Sequence, residues 1–508
     1  MAGRSSGFRP ARSGTPVVGR LLVVLLLGAG GLAHAQGWRE VRFSPGPRIV
    51  DPVLLDLNGD GRTDLLLVRG REASLYLQDE GGFDPERPLQ RFRFVDQAIL
   101  WTHADLDGDG RPEVLYLAPD GVYAYRWRGG RLSFVPRLVA ATGAVLRAAS
   151  PEEVRWRPFY QDLDGDGIRD LLLPGEGELL VYRGLPELEF EPARPLLVRP
   201  DVSVDTGSPR PSSELRSSYW YPIVHVGEAN GDGRPDLFVH QRRQVVVFLQ
   251  RERGRFGPRP DRVLPLVFAG PLPEGRFKLD LELPARFADV DGDGLTDVVA
   301  THVGRAVTYA FRGRADLQGA LGTPQAVLRL PGITFMDYLA DLDGDGRQDL
   351  VLGRTDRPGL WDLIRVLVTK EVSVEAFIYY GREQGLFPRL PDVRRRVDVP
   401  IRFASGSEGV EVGTAAVLSL AGDFDGDGRV DLLLRSGPER LAVYRNLGRS
   451  FADEPMAELR VYDMEGYRFV EPFCEDLNGD GRADVVLLYH SWDGRSDRLS
   501  VLVSAGGR

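Results

Sequence analysis

The chain of 508 residues contains one cysteine, Cys474, so no internal disulfide can brace it. Lysine is nearly absent, at Lys278 and Lys370 only, which leaves arginine to carry almost all positive charge. Past the N-terminal region no apolar run approaches the ~20 residues that a membrane-spanning helix needs. The usual catalytic signatures are missing as well. There is no His-Glu-x-x-His, no Gly-x-Ser-x-Gly, no phosphate-cradling glycine loop ending in Lys-Ser or Lys-Thr, and no c-type haem motif. No basic stripe is present, and nucleic-acid binding is not expected.

The N-terminus has the form of an export signal. Arg4, Arg9, Arg12 and Arg20 precede the apolar run Leu21 to Leu27, which leads to Ala33-His34-Ala35. A basic region, a short apolar core and an Ala-x-Ala site predict a signal peptide over residues 1–35, cleaved before Gln36. The core is too short and too glycine-rich to anchor, and no cysteine follows to carry a lipid, so no transmembrane anchor is expected after cleavage. The expected location is periplasmic, cell-surface or secreted. An exported chain of this size without disulfides must be held by its core, by metal, or by both. Cys474 lies in an apolar, strand-like stretch and reads as a buried structural thiol.

What is abundant is one motif. DLNGDGRTD at 56–64 returns as DLDGDGRPE at 105–113, DLDGDGIRD at 162–170 and EANGDGRPD at 228–236. It returns again as DVDGDGLTD at 289–297, DLDGDGRQD at 341–349, DFDGDGRVD at 423–431 and DLNGDGRAD at 476–484. Successive starts are 49, 57, 66, 61, 52, 82 and 53 residues apart. Self-similarity at such a period indicates a repeat architecture.

Strand patterns flank every loop. Runs such as Leu65-Leu66-Leu67-Val68, Val114-Leu115-Tyr116-Leu117 and Val485 to Tyr489 follow the loops. Third strands such as Val122 to Tyr125 and Leu441 to Tyr444 come next. The reading is all-β over residues 36–508: an eight-bladed β-propeller with one acidic loop per blade. The last repeat stops after its third strand, and Val41-Arg42-Phe43 stands spare at the start. Pairing the two would close the ring and remove an open edge. Leu363 to Tyr380 reads as two long strands forming a projecting hairpin, and 205–218 as a Ser/Pro-rich loop.

The loops have the chemistry of calcium sites. Position 1 holds Asp56, Asp105, Asp162, Glu228, Asp289, Asp341, Asp423 and Asp476. Position 3 holds Asn58, Asp107, Asp164, Asn230, Asp291, Asp343, Asp425 and Asn478. Position 5 holds Asp60, Asp109, Asp166, Asp232, Asp293, Asp345, Asp427 and Asp480. Position 9 holds Asp64, Glu113, Asp170, Asp236, Asp297, Asp349, Asp431 and Asp484. A glycine at position 6 permits the tight turn that lets these side chains converge, and position 7 adds a backbone carbonyl. Hard oxygen donors with several negative charges suit Ca²⁺, while zinc would want His or Cys and magnesium a stricter octahedron. Up to eight Ca²⁺ are expected, weakest in the loop of Glu228. The position 9 carboxylate is expected to close the shell with both oxygens. Loss of the four-arginine leader takes the formal charge from −10 to −14, and eight divalent ions would bring it to +2. The acidity therefore belongs to the loops, not to a surface seeking basic partners.

On these residues the chain resembles the FG-GAP/VCBS repeat, found in integrin α-subunit propellers and many bacterial exported proteins. The resemblance implies a propeller and Ca²⁺ ligation by the residues above. Integrin-like rings have seven blades, so a seven-bladed ring is the alternative.

Two functions fit. The first is a monomeric, calcium-stabilised binding scaffold for a glycan or protein ligand, for which Tyr219, Trp220 and Tyr221 are candidate contacts. The second is an enzyme of the polysaccharide lyase kind, which needs a base beside a metal-bound acidic sugar. His103, His225, His240, His302 and His490 are the histidines available after the leader, and Arg394, Arg395 and Arg396 a candidate anion contact.

Overall fold

The computed structural model describes residues 38–504 apart from 45–49, 80–81, 149–150, 199–200, 206–215, 221, 242, 269–280, 316–322, 357–368, 384, 407–408, 415–417 and 494–495. The leader, most of the Ser/Pro-rich loop, Tyr221 and Lys278 lie outside the described residues. Among the described residues no helix is long and apolar enough to cross a membrane.

Every acidic loop joins two antiparallel strands in one register. The residue before position 1 pairs with position 9: Leu55 with Asp64, Ala104 with Glu113, Gln161 with Asp170 and Gly227 with Asp236. The same holds for Ala288 with Asp297, Ala340 with Asp349, Gly422 with Asp431 and Glu475 with Asp484. The second strand of each repeat starts at position 9. It then runs as a largely apolar series, buried throughout in Glu113–Ala118 and Asp297–His302. A strand alternates apolar and polar residues only when one of its faces meets water, and here both faces are covered.

The first blade orders its strands Val50–Leu55, Asp64–Arg69, Glu72–Tyr76 and Gln90–Arg93. Seven more sheets repeat that plan, which gives eight blades. First strands of neighbouring blades touch at the fourth and fifth, fifth and sixth, and seventh and eighth blades, which puts them at the centre of the ring. The apolar core is divided into eight clusters, each shared by two adjacent blades. No blade has a core of its own, so each is buried against both of its neighbours.

Closure follows the expected route. Trp38–Phe43 forms the outer strand of the last blade, pairing with Ser496–Ser504 from Trp38 opposite Ser504 to Phe43 opposite Leu499. Phe43 then packs edge-on against Tyr76 at 5.0 Å and Phe83 at 6.2 Å, which ties the eighth blade to the first.

Two blades depart from the plan. In the sixth, Glu371–Tyr379 is the ordinary third strand, paired on both edges, so the expected projecting hairpin is displaced. The projection is instead the far end of Val393–Gly406, which pairs with Gly409–Thr414, while 363–368 lie outside the described residues. In the second blade a segment of the connection to the third, Arg155–Trp156, adds a parallel strand to the inner edge of Leu100–Ala104.

Phe43 is 2% exposed, so Phe43→Ala should cost about 3–5 kcal/mol and lower the melting temperature of the whole ring in a single calorimetric transition. A local loss confined to the N-terminal strand would contradict closure as a cooperative element.

Candidate metal centres

Each loop is first a hydrogen-bonded turn. The position 1 carboxylate accepts the position 4 N–H on one oxygen and the position 6 N–H on the other. In the first loop Asp56 Oδ1 accepts from Gly59 at 2.7 Å and Oδ2 from Gly61 at 2.8 Å. Glu228 does the same through its longer arm, accepting Gly231 and Gly233, each at 2.7 Å. Both turn positions are glycine in all eight loops, with φ of 71–79° at position 4 and 77–86° at position 6. The left-handed backbone, not crowding, demands glycine at position 6, where an added Cβ would meet nothing in any loop. Reading position 6 alone as the permissive turn missed position 4.

Position 9 is the most constrained. Its side chain is 0–3% exposed in every repeat. One oxygen accepts the position 2 N–H across the loop, as from Leu57 to Asp64 at 3.0 Å and from Val290 to Asp297 at 2.9 Å. The other accepts a backbone N–H at or just beyond the end of the third strand: Gln78, Gly184, Gln250, Gly313, Gly381, Asn446 or Ser504, at 2.6–3.0 Å. Only the second repeat differs: Glu113 accepts from Leu106 at 3.0 Å and turns its second oxygen toward Arg126 Nε at 3.6 Å. The residue beyond the third strand is either glycine or one that uses its side chain. An added Cβ at Gly184, Gly313 or Gly381 would come within 2.5–2.8 Å of the position 8 carbonyl. Gln250 and Asn446 instead donate their amides to that carbonyl and to position 2 of the preceding loop. Gln78, in the orientation that satisfies both ends of its amide, joins Leu477 to Thr63 and so links the last loop to the first.

The loops thus touch in sequence around one face. Thr63 N–H donates to Leu477 O at 3.1 Å, Thr296 N–H to Glu228 O at 2.8 Å and Ala483 N–H to Asp423 O at 2.6 Å.

In the second, third, fifth, sixth and seventh loops, positions 1, 3 and 9 each place one carboxylate oxygen within 4.8 Å of the other two. Five position 3 oxygens are buried with no hydrogen-bond donor: Oδ1 of Asp107 and Asp343, both oxygens of Asp291, and Oδ2 of Asp425. A buried acceptor left without a donor is costly, and an all-oxygen anionic set suits a hard divalent cation. These five clusters can hold a metal ion. Position 5 stands outside the convergent groups. Where position 7 is arginine, that side chain reaches the position 5 carboxylate in the first, second, fourth, sixth and seventh loops, as Arg62 to Asp60 at 3.0 Å. In the first, fourth and eighth loops position 3 is Asn58, Asn230 or Asn478, whose amide donates to position 5 at 3.1, 3.0 and 3.3 Å.

Other residues singled out earlier have structural partners. Cys474 is buried, 3.5 Å from Ser419 Oγ, and burial pushes its thiol up to about 11. Burial pushes the His103 imidazole down to about 4 and lowers that of His225; the rings stack on Trp156 and Phe287. Arg394 pairs with Glu375, Arg395 lies over the Tyr444 ring at 5.7 Å, and Arg396 donates to Ser373 Oγ at 2.6 Å. Tyr219 and Trp220 belong to the hairpin of Asp201–Asp205 with Arg216–Trp220.

A family profile described as the FG-GAP-like repeat matches residues 287–352 and 423–500, which hold the fifth to eighth loops. No curated protein matches the chain significantly. Among solved structures, an Agrocybe aegerita lectin that recognises non-reducing terminal N-acetylglucosamine is similar at 18% identity and TM-score 0.43, covering 91% of this chain and 96% of its own. The biofilm matrix protein Bap1 of V. cholerae is similar at 12% identity and TM-score 0.40, over 91% and 89%. An exotype rhamnogalacturonan lyase is similar at 14% identity and TM-score 0.31, over 92% and 73%.

Burial pushes the position 9 carboxyls of Asp64, Asp236, Asp349 and Asp484 up to about 6 and those of Glu113, Asp170 and Asp297 to about 7. The unfolded values are 3.8 for Asp and 4.5 for Glu, so the folded state holds these protons more tightly. Their contribution to stability is full below about pH 4 and is lost as pH rises through 6 and 7. In chelator the melting temperature should therefore fall between pH 5 and 7.5. A saturating divalent cation, which favours the ionised carboxylates, should flatten or reverse that slope; parallel slopes with and without cation would contradict metal binding at the loops.

Proposed function

From a chain that carries FG-GAP-like repeats on an eight-bladed propeller, we propose an exported binding scaffold, held by Ca²⁺ in its acidic loops, whose ligand is an acidic glycan. The proposed ion ligands are the loop residues at positions 1, 3, 5 and 9. An all-oxygen donor set of three or four acidic side chains per loop favours calcium over zinc, and a flexible loop favours it over magnesium. Calcium would supply charge neutralisation and a fixed turn, and no chemistry is asked of it.

The observation that carries the ligand reading is the added inner strand of the second blade. Arg71, 1% exposed, sits in the turn after the Asp64–Arg69 strand, away from the acidic loops. It donates to Pro151 O at 2.7 Å and also to Val95 O and Ala98 O, which anchors the incoming segment. Val154 N–H donates to Gly70 O at 3.0 Å, and Arg157 N–H to Trp101 O at 3.0 Å. The chain is thereby laid along the inner edge with Arg155, Trp156 and Arg157 all exposed. Trp156 is 37% exposed, and its ring stacks with half-buried His103 at a centroid distance of 6.5 Å. Arg155 is held by Glu153 at 3.1 Å, and no ion pair engages Arg157 among the described residues. An exposed aromatic ring with exposed arginines on either side of it in sequence supplies the two chemistries an acidic sugar polymer needs, stacking and bidentate guanidinium contact with a carboxylate.

Affinity electrophoresis in gels containing polygalacturonate tests this reading, with a neutral glucan as control. Retardation should occur with the acidic polymer alone, weaken with salt, and fall at least tenfold in Trp156→Ala and Arg157→Ala. Equal mobility in both gels would end the glycan reading. Ultraviolet absorbance of unsaturated products in the same mixtures would instead establish the lyase alternative.

A further inference from the structure

Across the eight repeats, one substitution inside the loop is matched by another outside it. Five loops have Asp at position 3, and in all five its Oδ2 meets an arginine from the chain beyond the third strand. Arg126 meets Asp107, and Arg183 meets Asp164 at 2.7 Å. Arg312 meets Asp291 at 2.7 Å, Arg449 meets Asp343 at 3.0 Å, and Arg445 meets Asp425 at 2.5 Å. Three loops have Asn at position 3, and in these the place that holds Arg126, Arg183, Arg312 and Arg445 is taken by Leu77, Leu249 and Val503. There the Asn Nδ2, in the place of Oδ2, donates to the position 5 carboxylate instead.

The side of the carboxylate that is engaged matters. Arginine takes Oδ2 in every case, while Oδ1 of Asp107, Asp291 and Asp343 stays buried without a donor. At Asp291 and Asp425 the arginine Nε is in ion-pair range of Oδ2 but no N–H is aimed at it, so the contact there is one of charge and not of a directed hydrogen bond. The arginine therefore does not fill the place that a cation would take. It balances the charge that Asp brings and Asn does not.

The charges bear this out. An Asn loop carries three acidic side chains, an Asp loop four. Counting every arginine in ion-pair range, the first, second, third, fourth, sixth and seventh loops each come to −2, the charge that one divalent cation cancels. The third reaches this although position 7 is Ile168, because Arg253 supplies a second cation 3.6 Å from Asp164. In the fifth, where position 7 is Leu295, Arg312 alone spans Asp291 and Asp293, at 2.7 and 3.1 Å, and the loop remains at −3; the eighth, with three acidic side chains and no arginine ion pair among the described residues, also stands at −3.

We infer that Arg126, Arg183, Arg312, Arg445 and Arg449 are built-in counter-cations, one for each Asp-type loop. Each meets the position 3 carboxylate at its outer oxygen and cancels the extra charge, while the inner oxygen has no donor in Asp107, Asp291 and Asp343 and accepts the position 5 N–H at 3.2 Å in Asp164 and Asp425. Removing the arginine then has two opposite effects. The metal-free loop is weakened by carboxylate repulsion, while the attraction for a divalent cation grows because nothing opposes it. An arginine that merely packed against the loop would not produce the second effect.

The test is a double-mutant cycle on the fifth loop: Arg312→Gln, Asp291→Asn and the pair together, each melted in chelator and in millimolar Ca²⁺. In chelator Arg312→Gln should lower the melting temperature by on the order of 2 °C, and the double variant, which recreates an Asn-type loop, should recover it. In Ca²⁺ the Arg312→Gln protein should gain more than the wild type gains. Arg445→Gln with Asp425→Asn in the seventh loop, where Arg445 is half exposed, repeats the cycle at a site more tolerant of change. Additive melting shifts in chelator at both loops would overturn the counter-cation role. A calcium gain no larger than wild type in the arginine variants would overturn it as well. The calcium arm rests on the proposed metal reading and the chelator arm does not: an intact chelator cycle with no calcium response in any protein, wild type included, would refute calcium binding and leave the ion pairs standing.

Discussion

The structure depends on a buried carboxylate that is met by two backbone N–H groups. At position 9 of each repeat a side chain that would ordinarily face water is enclosed at the start of a largely apolar strand. In seven repeats it bonds the beginning of its own loop and the end of the third strand. A buried charge is tolerated only when its lone pairs are engaged. The requirement runs both ways: the N–H groups at position 2 and beyond the third strand have no other acceptor if the carboxylate is lost. One side chain thus sets the pitch of the loop and the point at which the third strand turns away.

From that pin the ring follows. Because position 9 opens the second strand in the same register every time, the eight sheets are near copies, and near copies stack. The cores form between blades, so each blade needs two neighbours and the N-terminal strand must return to complete the eighth. Stacking also brings the loops side by side on one face, where Gln78, Gln250 and Asn446 join them through their amides. That face is occupied with holding the ring. At the central edge one connection departs from the plan and lays Arg155–Trp156 inside the second blade.

Much of the fold could be read from residues alone, since eight nonapeptides with flanking strands and a spare N-terminal strand specify blade number and closure. Register, too, was legible in outline, because Asp and Gly at fixed spacing constrain a turn. What could not be read were contacts between residues distant in sequence. Arg126 and Arg445 look like any surface arginine until the third strand brings them to Asp107 and Asp425. Gln78 and Gly184 share no chemistry, yet occupy one place, because a side-chain amide and the absence of a Cβ are two ways to accommodate one carbonyl. Position 9 was legible as acidic but not as buried, and its role as a backbone pin emerges only with the third strand in place. In the sixth repeat, Glu371–Tyr379 has the alternation of a free hairpin, and only its pairing with Asp349–Thr355 assigns it to the blade.

The central claim is that position 9 pins both ends of its repeat, and hydrogen–deuterium exchange read by mass spectrometry tests it most directly. In the native protein the amides of Val290 and Gly313 should exchange as slowly as those of the buried strand Asp297–His302, although both lie outside it. In Asp297→Asn, which sets a side-chain NH₂ against a backbone N–H, both should become fast together while those of the first repeat stay protected. If Val290 and Gly313 exchange at surface-loop rates in the native protein, or respond independently in the variant, the carboxylate is not the pin.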